Sequence, residues 1–532
     1  MDIALFSTRI FTGNPDQPWA EALKITDDRI THVGGNAEIK KACGINTEML
    51  DLSGRLVTPG LVDAHCHFLN LGRSFQMLNL RNVPSLAEVR ERIQKAVESR
   101  RPGEWIVGRG WNHHQWQEGR EPTRKDLDDI VPDNPAMMVR VCGHSIWVNT
   151  AALDLAGVTR ETSNPAGGQI DKDPDSGEPT GLLREARHVI EAHIPLATLE
   201  ERKQMVLAAQ EDALRCGITG VHTCETLQEW EAFAALEAEG KLKVRVYHLL
   251  PPDDLEEAAG RGITAGFGGE RLWFNHVKLF ADGSLGSGTA LMHDPYSDDP
   301  SECGIACLDR EILEEKIKLA YSHGCDVAIH TIGDLAVTNA LESIAAARKQ
   351  YPGVHRDRLE HVQLCRPQDL PLFHDLGVVA SVQPVFIATD WEPADKRWGA
   401  ERCRYAYAWK SLLQAGLRLQ FGSDAPVETI NPIYGIHAAV TRQTVTGDPQ
   451  GGWFPEQRLS LEDCLTGFTA AAAWSTRRED KLGSIEPGKW ADLTVYGRDL
   501  FDLPAETWPD VEIEMTVVSG EVVYSRAKGK GH

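Results

Sequence analysis

The sequence contains no apolar run long enough to span a bilayer, no CxxC pair and no excess of basic residues. Each absence excludes something. Without a long apolar run, no transmembrane helix is expected. With 55 basic against 78 acidic residues, the net charge is −23, spread along the chain and not gathered in a tail. That balance argues against nucleic acid or an anionic membrane as partner. The start, "MDIALFSTRIFTGN", has no basic region ahead of an apolar stretch and reads as a strand, not a signal peptide. The eleven cysteines are odd in number and irregularly spaced, which points to free thiols in a reducing, cytoplasmic setting. The nearest pair, Cys303 and Cys307 in "CGIAC", reads as two small loop residues. There is no internal repeat and no low-complexity segment.

What is present is a chain of 532 residues, 42% apolar and 25% charged, too long for one ordinary core. Short strand patterns with turns fill both ends: "IALFSTRIFTG" and "ALKITDDRITHVGG" first, "GSIEPGKWADLTVYG" and "EMTVVSGEVVYS" last. One small β domain built from both termini is expected, from residues 1–57 and 478–532.

Between them, residues 58–477 alternate β-rich runs with helical patterns. The runs are "TPGLVDAHCHF", "GITGVHTCE", "KVRVYHLL", "FNHVKLFADG", "CDVAIHTIGD", "RLEHVQLC", "GVVASVQP" and "LRLQFGSDAP". Eight strand–helix units predict an α/β fold, a distorted (β/α)8 barrel of the TIM type. Roughly 150 residues separate the first run from the second, far more than one unit needs. A stretch at about 72–205 is therefore expected to be an insertion at the catalytic face, with its own helix in "SLAEVRERIQKAVESR" and strand in "AMMVRVCGH".

Barrel enzymes carry their chemistry where the strands end. His65 and His67 alternate in "DAHCHF", so they share one face of a strand. Other strand ends supply Lys278 in "VKLFADG", His330 in "VAIHTIGD", His361 in "LEHVQL" and Asp424 in "FGSDAP". Any one of these is ordinary as a packing residue; six at one end of one barrel are not. Imidazoles and a carboxylate suit Zn²⁺ or a similar divalent ion, one or two per chain. An ammonium has no lone pair, so Lys278 joins them only if neutralised, for instance as a carbamate formed with CO₂.

With "RGWNHHQW", "HSIWVNTAAL" and "GSIEPGKWADLTV", these motifs resemble the amidohydrolase superfamily, in particular the YtcJ-like branch that includes N-substituted formamide deformylases. The resemblance covers nearly the whole chain. It implies a distorted barrel with a β-sandwich from both termini. It also implies one metal on His65 and His67, a second on His330 and His361, and a carbamylated Lys278 between them. One position departs from the branch: Gly288 stands where an Arg often follows "GS".

The expected chemistry is hydrolysis of an amide-type C–N bond in an N-acyl or N-formyl compound with an apolar or aromatic substituent. A metal-activated hydroxide would attack, with Asp424 taking its proton and passing it to the leaving amine. An ester, lactone or cyclic amide is the alternative substrate for the same site, and a non-catalytic regulatory relative is the alternative from another class. An N-cap role is the alternative for Asp424. His144 is a candidate contact to the substrate carbonyl, and Trp111, Trp116 and Trp147 are candidate walls of an aromatic pocket, packing being the alternative for each. Asp282 is read as a ligand-orienting or turn residue, His222 and His248 as core. The partner is a small-molecule substrate, and a homo-oligomer is compatible with the chain.

Overall fold

The computed structural model describes residues 2–98, 100–140, 145–165 and 168–529. The chain divides into two compact units, Met1–Leu71 with Arg202–His532, and Gly72–Glu201.

The first unit holds eight parallel strands: β1 (Leu61–Cys66), β2 (Ile218–Cys224), β3 (Arg245–Leu250), β4 (Leu272–Phe280), β5 (Asp326–Thr331), β6 (Arg358–His361), β7 (Val379–Val382) and β8 (Arg418–Phe421). They pair in sequence order, each with the next. Every run expected from the sequence supplies one of them. Most of their residues are buried, so they read as near-continuous apolar runs rather than alternating ones. Beyond β8 the chain returns to β1: Asp424 N donates to His65 O (2.7 Å) and His67 N to Ala425 O (2.8 Å). Those two bonds draw the last strand end against the first.

Helices follow the strands, and their starts are written locally. Thr226 and Glu229 form a capping box ahead of Leu227–Ala238, which follows β2. Gly333 precedes Asp334–Gln350, which follows β5. A Cβ on Gly333 would stand 2.0 Å from the Leu291 carbonyl, so only glycine fits there.

Two further sheets complete this unit, and both ends of the chain meet in the second. One has four strands, in the order Arg29–Gly34, Ala22–Thr26, Asp2–Phe6, Glu48–Asp51. The other joins Glu521–Ser525, Ile513–Val518 and Leu493–Tyr496 to Leu56–Pro59, Arg9–Phe11 and Trp19–Ala20. Ile3, Leu5, Leu23, Ile25, Val57, Leu493, Val495 and Val517 form the core these strands share. The sandwich strand Leu56–Pro59 runs through Gly60 directly into β1. Arg245, which opens β3, pairs with Asp492 at 2.6 Å and lies 3.9 Å over the Trp490 ring. This buried fork, with the cation stacked on an indole, fastens the start of β3 to the sandwich.

The second unit has its own six-stranded sheet, ordered Gln169–Lys172, Pro179–Arg184, Ser145–Val148, Ala136–Arg140, Ile106–Trp111, Leu78–Asn79. Helix Leu86–Val97, capped by Ser85, packs Val89 and Ile93 into a core with Trp111, Trp116 and Trp147.

Candidate active site

The strand ends expected to converge do so. At the end of β1, His65 is buried and His67 half-buried. Asp424 follows β8 in the left-handed region, at φ 58°. Its carboxylate oxygen Oδ1 lies 3.5 Å from His65 Nε2 and 3.3 Å from His67 Nε2. One donor atom from each of the three falls within 4.8 Å of the others, which is the spacing of a metal-binding group. Asp424 therefore faces the imidazoles; it caps no helix, and the residues after it form a turn.

Asp63 sets this geometry from below. Its Oδ1 accepts from His65 N (3.1 Å) and Ser423 N (3.0 Å), and its Oδ2 accepts from the Ser423 hydroxyl. One carboxylate thus pins the end of β1 to the residue preceding Asp424.

His361 and His330 stand beside His65. Ring centroids are 4.9 Å apart for His65 and His361, and 4.5 Å for His361 and His330. Each of the four imidazoles has one nitrogen anchored on an oxygen. His65 Nδ1 meets Glu360 Oε2 at 2.5 Å, and His67 Nδ1 meets Cys224 O at 3.1 Å. His361 Nδ1 meets Gln383 Oε1 at 2.7 Å, and His330 Nε2 meets Gly283 O at 2.8 Å. All four partners are acceptors, so the anchored nitrogen carries the proton and the opposite nitrogen keeps its lone pair. Imidazoles held this way are set up as metal ligands.

Lys278, at the end of β4, is 3% exposed, and its Nζ has no hydrogen-bond partner. Its ammonium lies 4.1 Å from the centre of the Phe280 ring. Burial pushes the amine below its ordinary value. A buried orphan amine among imidazoles is costly as it stands. The donor set, with this orphan at its edge, fits a divalent ion with a neutralised lysine.

The electrostatics favour a cation here. Burial alone would raise the Asp424 carboxyl, yet the His65 and His67 imidazoles hold it well below the usual range. Burial would likewise lower His65, but Glu360 and Asp424 raise it. His361 is pushed down to about 3 by burial and by His65, which outweigh Asp424 and Glu360 there. A negative field that favours a proton on His65 favours a dication in the same place.

Several of these residues were not singled out in the sequence. Glu360 adjoins His361, and alternation along a strand would send the two side chains to opposite faces. His361 instead adopts φ 74°, so the strand kinks and both reach His65. A glutamate inside the apolar run "RLEHVQL" was the available signal. Gln383, Asp63 and the Cys224 carbonyl had none. Asp282 is a loop organiser: its carboxylate accepts from the backbone of Leu291, Ile332 and Gly333 at 2.8–3.0 Å. Burial pushes it up to about 7. His222 and His248 are buried, as expected of core residues.

Trp111 and Trp147 take the packing alternative: both are buried in the core of the second unit. Their indole N–H groups donate to Met138 O (2.7 Å) and Thr123 O (2.8 Å), which satisfies their one polar atom internally. His144 lies outside the described residues. At Gly288, a Cβ would stand 2.6 Å from an Arg397 guanidinium nitrogen, so the missing side chain leaves room for an arginine from helix Ile387–Trp398.

Among the described residues, a second donor group, Asp326, His355 and Asp357, also has metal-like spacing. Its carboxylates are engaged by Arg477 and Asn275 on Asp326, and by Arg348 and Tyr321 on Asp357. That makes it a structural ion-pair cluster. The ten described cysteines are all free, and no described helix is long and apolar enough to cross a membrane.

Protein LONG AFTER FAR-RED 3 of Arabidopsis thaliana is 34% identical, over 98% of this chain and 91% of that protein. The putative amidohydrolase YtcJ of Bacillus subtilis is 33% identical, over 97% of this chain and 98% of the relative. The N-substituted formamide deformylase of Arthrobacter pascens is 28% identical, over 99% of this chain and 98% of the relative. A crystal structure of a metal-dependent hydrolase from Pyrococcus furiosus superposes with a TM-score of 0.80, at 33% identity, covering 94% of this chain and 99% of that one. The profile of the amidohydrolase family matches residues 48–524, and the chain belongs to that family.

Proposed function

We propose that this member of the family cleaves an amide-type C–N bond in an N-acyl or N-formyl small molecule carrying an apolar or aromatic substituent. The observation that carries the reading is the convergence of His65, His67 and Asp424 within 4.8 Å, beside the orphan amine of Lys278. A divalent ion, Zn²⁺ or one like it, supplies Lewis acidity when bound, activating a water and polarising the carbonyl. The residues that would hold it are His65, His67, His330, His361 and Asp424, with Lys278 joining them as a carbamate. The carbamate forms when the neutral amine adds to CO₂: the N–C bond forms as one C=O π bond opens, one proton leaves the nitrogen for solvent, and the negative charge rests on the two carbamate oxygens. Burial of Lys278 favours the neutral amine that this addition needs.

Asp424 does the proton work. Held ionised by its imidazole neighbours, it accepts a proton from the attacking water and delivers it to the departing nitrogen. An amine leaves as a neutral molecule only if protonated, so a carboxylate placed between nucleophile and leaving group serves both steps. The apolar substituent is supported by Phe280, which is 46% exposed with its ring centre 5.4 Å from that of His330. An exposed aromatic ring beside a polar centre is a surface for an apolar group.

The test is a hydrolysis screen of metal-loaded protein on N-formyl, N-acyl, ester and lactone compounds with small and aromatic substituents. Turnover of amides, lost by about 100-fold or more in Asp424→Asn, is the expected outcome. Turnover of esters or lactones alone would overturn the C–N assignment.

A further inference from the structure

We infer that Glu360 is a positioning residue for the metal centre: held by Arg358, it orients His65 and sharpens it as a ligand. The inference rests on the metal-dependent reading above. Its grounds are geometric. Glu360 is fully buried on β6, and each carboxylate oxygen has a separate task. Oε2 accepts the Nδ1 proton of His65 at 2.5 Å, and Oε1 meets Arg358 Nε at 2.6 Å. Arg358 is also fully buried, and its Nη1 donates to His222 Nδ1 at 2.9 Å. His222, in turn, is in ring contact with Tyr247, whose hydroxyl bonds His276.

These groups come from five strands: β1, β6, β2, β3 and β4. Two charges buried this deeply are costly, and in a barrel interior apolar side chains would fill the same volume more cheaply. The pair therefore needs a reason to be there, and the bond to His65 supplies one. With Nδ1–H fixed on a carboxylate, His65 can present only Nε2, the nitrogen that faces Asp424. An anionic acceptor also makes the imidazole a better electron donor than a backbone carbonyl does. His67, His361 and His330 are hydrogen-bonded to neutral oxygens, with Asp282 Oδ1 standing off at 3.7 Å from His330 Nε2, so His65 alone of the four has its anchored nitrogen on a carboxylate. Arg358 stops the carboxylate from rotating away, because its guanidinium is itself fixed by the His222 ring.

The experiment measures metal affinity by competition with a chelator, in full-length wild type, Glu360→Gln and Glu360→Asp. Glutamine keeps the shape and removes the charge; aspartate keeps the charge and withdraws it by one methylene. Zn²⁺ affinity is expected to fall about 10–100-fold in Glu360→Gln and by less in Glu360→Asp. Glu360→Gln leaves the Arg358 cation buried without its partner, so its metal-free midpoint should fall; the double variant Glu360→Gln/Arg358→Met removes that cation, and there the affinity loss should persist with a metal-free midpoint nearer wild type. Wild-type affinity in either folded variant overturns the inference, as does an affinity loss that only tracks a collapse of metal-free stability. Failure of wild type to bind metal would sink the functional reading instead, so the two failures are separable.

Discussion

A methyl group on Gly422 would stand 2.5 Å from the backbone nitrogen of His65. The same methyl would stand 2.9 Å from Asp63 Oδ1, the oxygen that ties His65 to Ser423. The end of β8 approaches β1 this closely because glycine has no side chain there. Gly422→Ala should push the two strand ends apart, costing about 1–3 kcal/mol of stability through overpacking. Because Asp424 and His65 move apart with them, metal affinity should fall as well. Denaturant melts of metal-free protein and a metal titration read the two effects separately; a variant that melts and binds as wild type would refute the close approach.

Lys278 offers a sharper chemical prediction. Protein purified without chelator should carry between about one and two divalent ions per chain, and Lys278→Ala should fall below about half an ion and lose activity. A short-chain carboxylic acid in solution should restore part of both, by supplying the oxygens the carbamate would have offered. Lys278→Arg should not be rescued, since a guanidinium stays charged and forms no carbamate. Carbon-13 NMR of metal-loaded protein equilibrated with labelled bicarbonate tests the adduct directly. No carbamate signal, with full metal content, would leave a bare amine and a different site.

The tryptophans of the second unit now predict stability effects in place of specificity effects. Trp111 and Trp147 sit edge to face, with centroids 6.3 Å apart, and Trp116 lies 5.8 Å from Trp111. Truncating either buried indole to alanine removes most of its packing and strands the backbone acceptor it satisfied. A loss of about 3–5 kcal/mol is expected for each. Hydrogen exchange should localise the loosening to residues 72–201, leaving the barrel strands protected. A change in substrate preference without loss of protection would return these rings to the pocket.

The barrel was legible because parallel strands buried on both faces are continuous apolar runs, and because their ends carry polar residues that packing does not explain. His65, His67 and Asp424 could be placed together for that reason. What stayed hidden depends on backbone detail. Glu360 and His361 are neighbours that ought to diverge, and only the positive φ of His361 brings both to His65. Asp63 and Gln383 act across strands, through contacts spanning hundreds and tens of residues. "RGWNHHQW" announces aromatic rings but not whether they face a ligand or a core, since both environments favour the same side chains. The sheet of the second unit mixes parallel and antiparallel pairs, an order that no local pattern specifies.

The opposite end of β5 from His330 makes a prediction about acid. Asp326 opens that strand, buried, with Oδ2 accepting from Asn275 and Arg477 at 2.9 Å each and Oδ1 3.6 Å from His355 Nδ1. Burial would raise its carboxyl, but His355, His276 and Arg477 bring it down to about 2, below the ordinary 3.8. The folded state therefore favours the ionised form more than the unfolded chain does. The stabilisation is present above pH 4 and is lost as pH falls through 2, with a full size of about 2 kcal/mol. Asp326→Asn cannot ionise and lacks this dependence. At pH 5 the variant should be less stable than wild type by at least that amount, and the gap should narrow by about 1 kcal/mol by pH 3. Urea midpoints of metal-free wild type and variant at the two pH values measure it. All other carboxylates titrate in both proteins and cancel in the difference. A gap that stays constant, or widens as acid is added, would mean that Asp326 is not the anion of this cluster, and that the ion pair with Arg477 does not hold the base of the barrel.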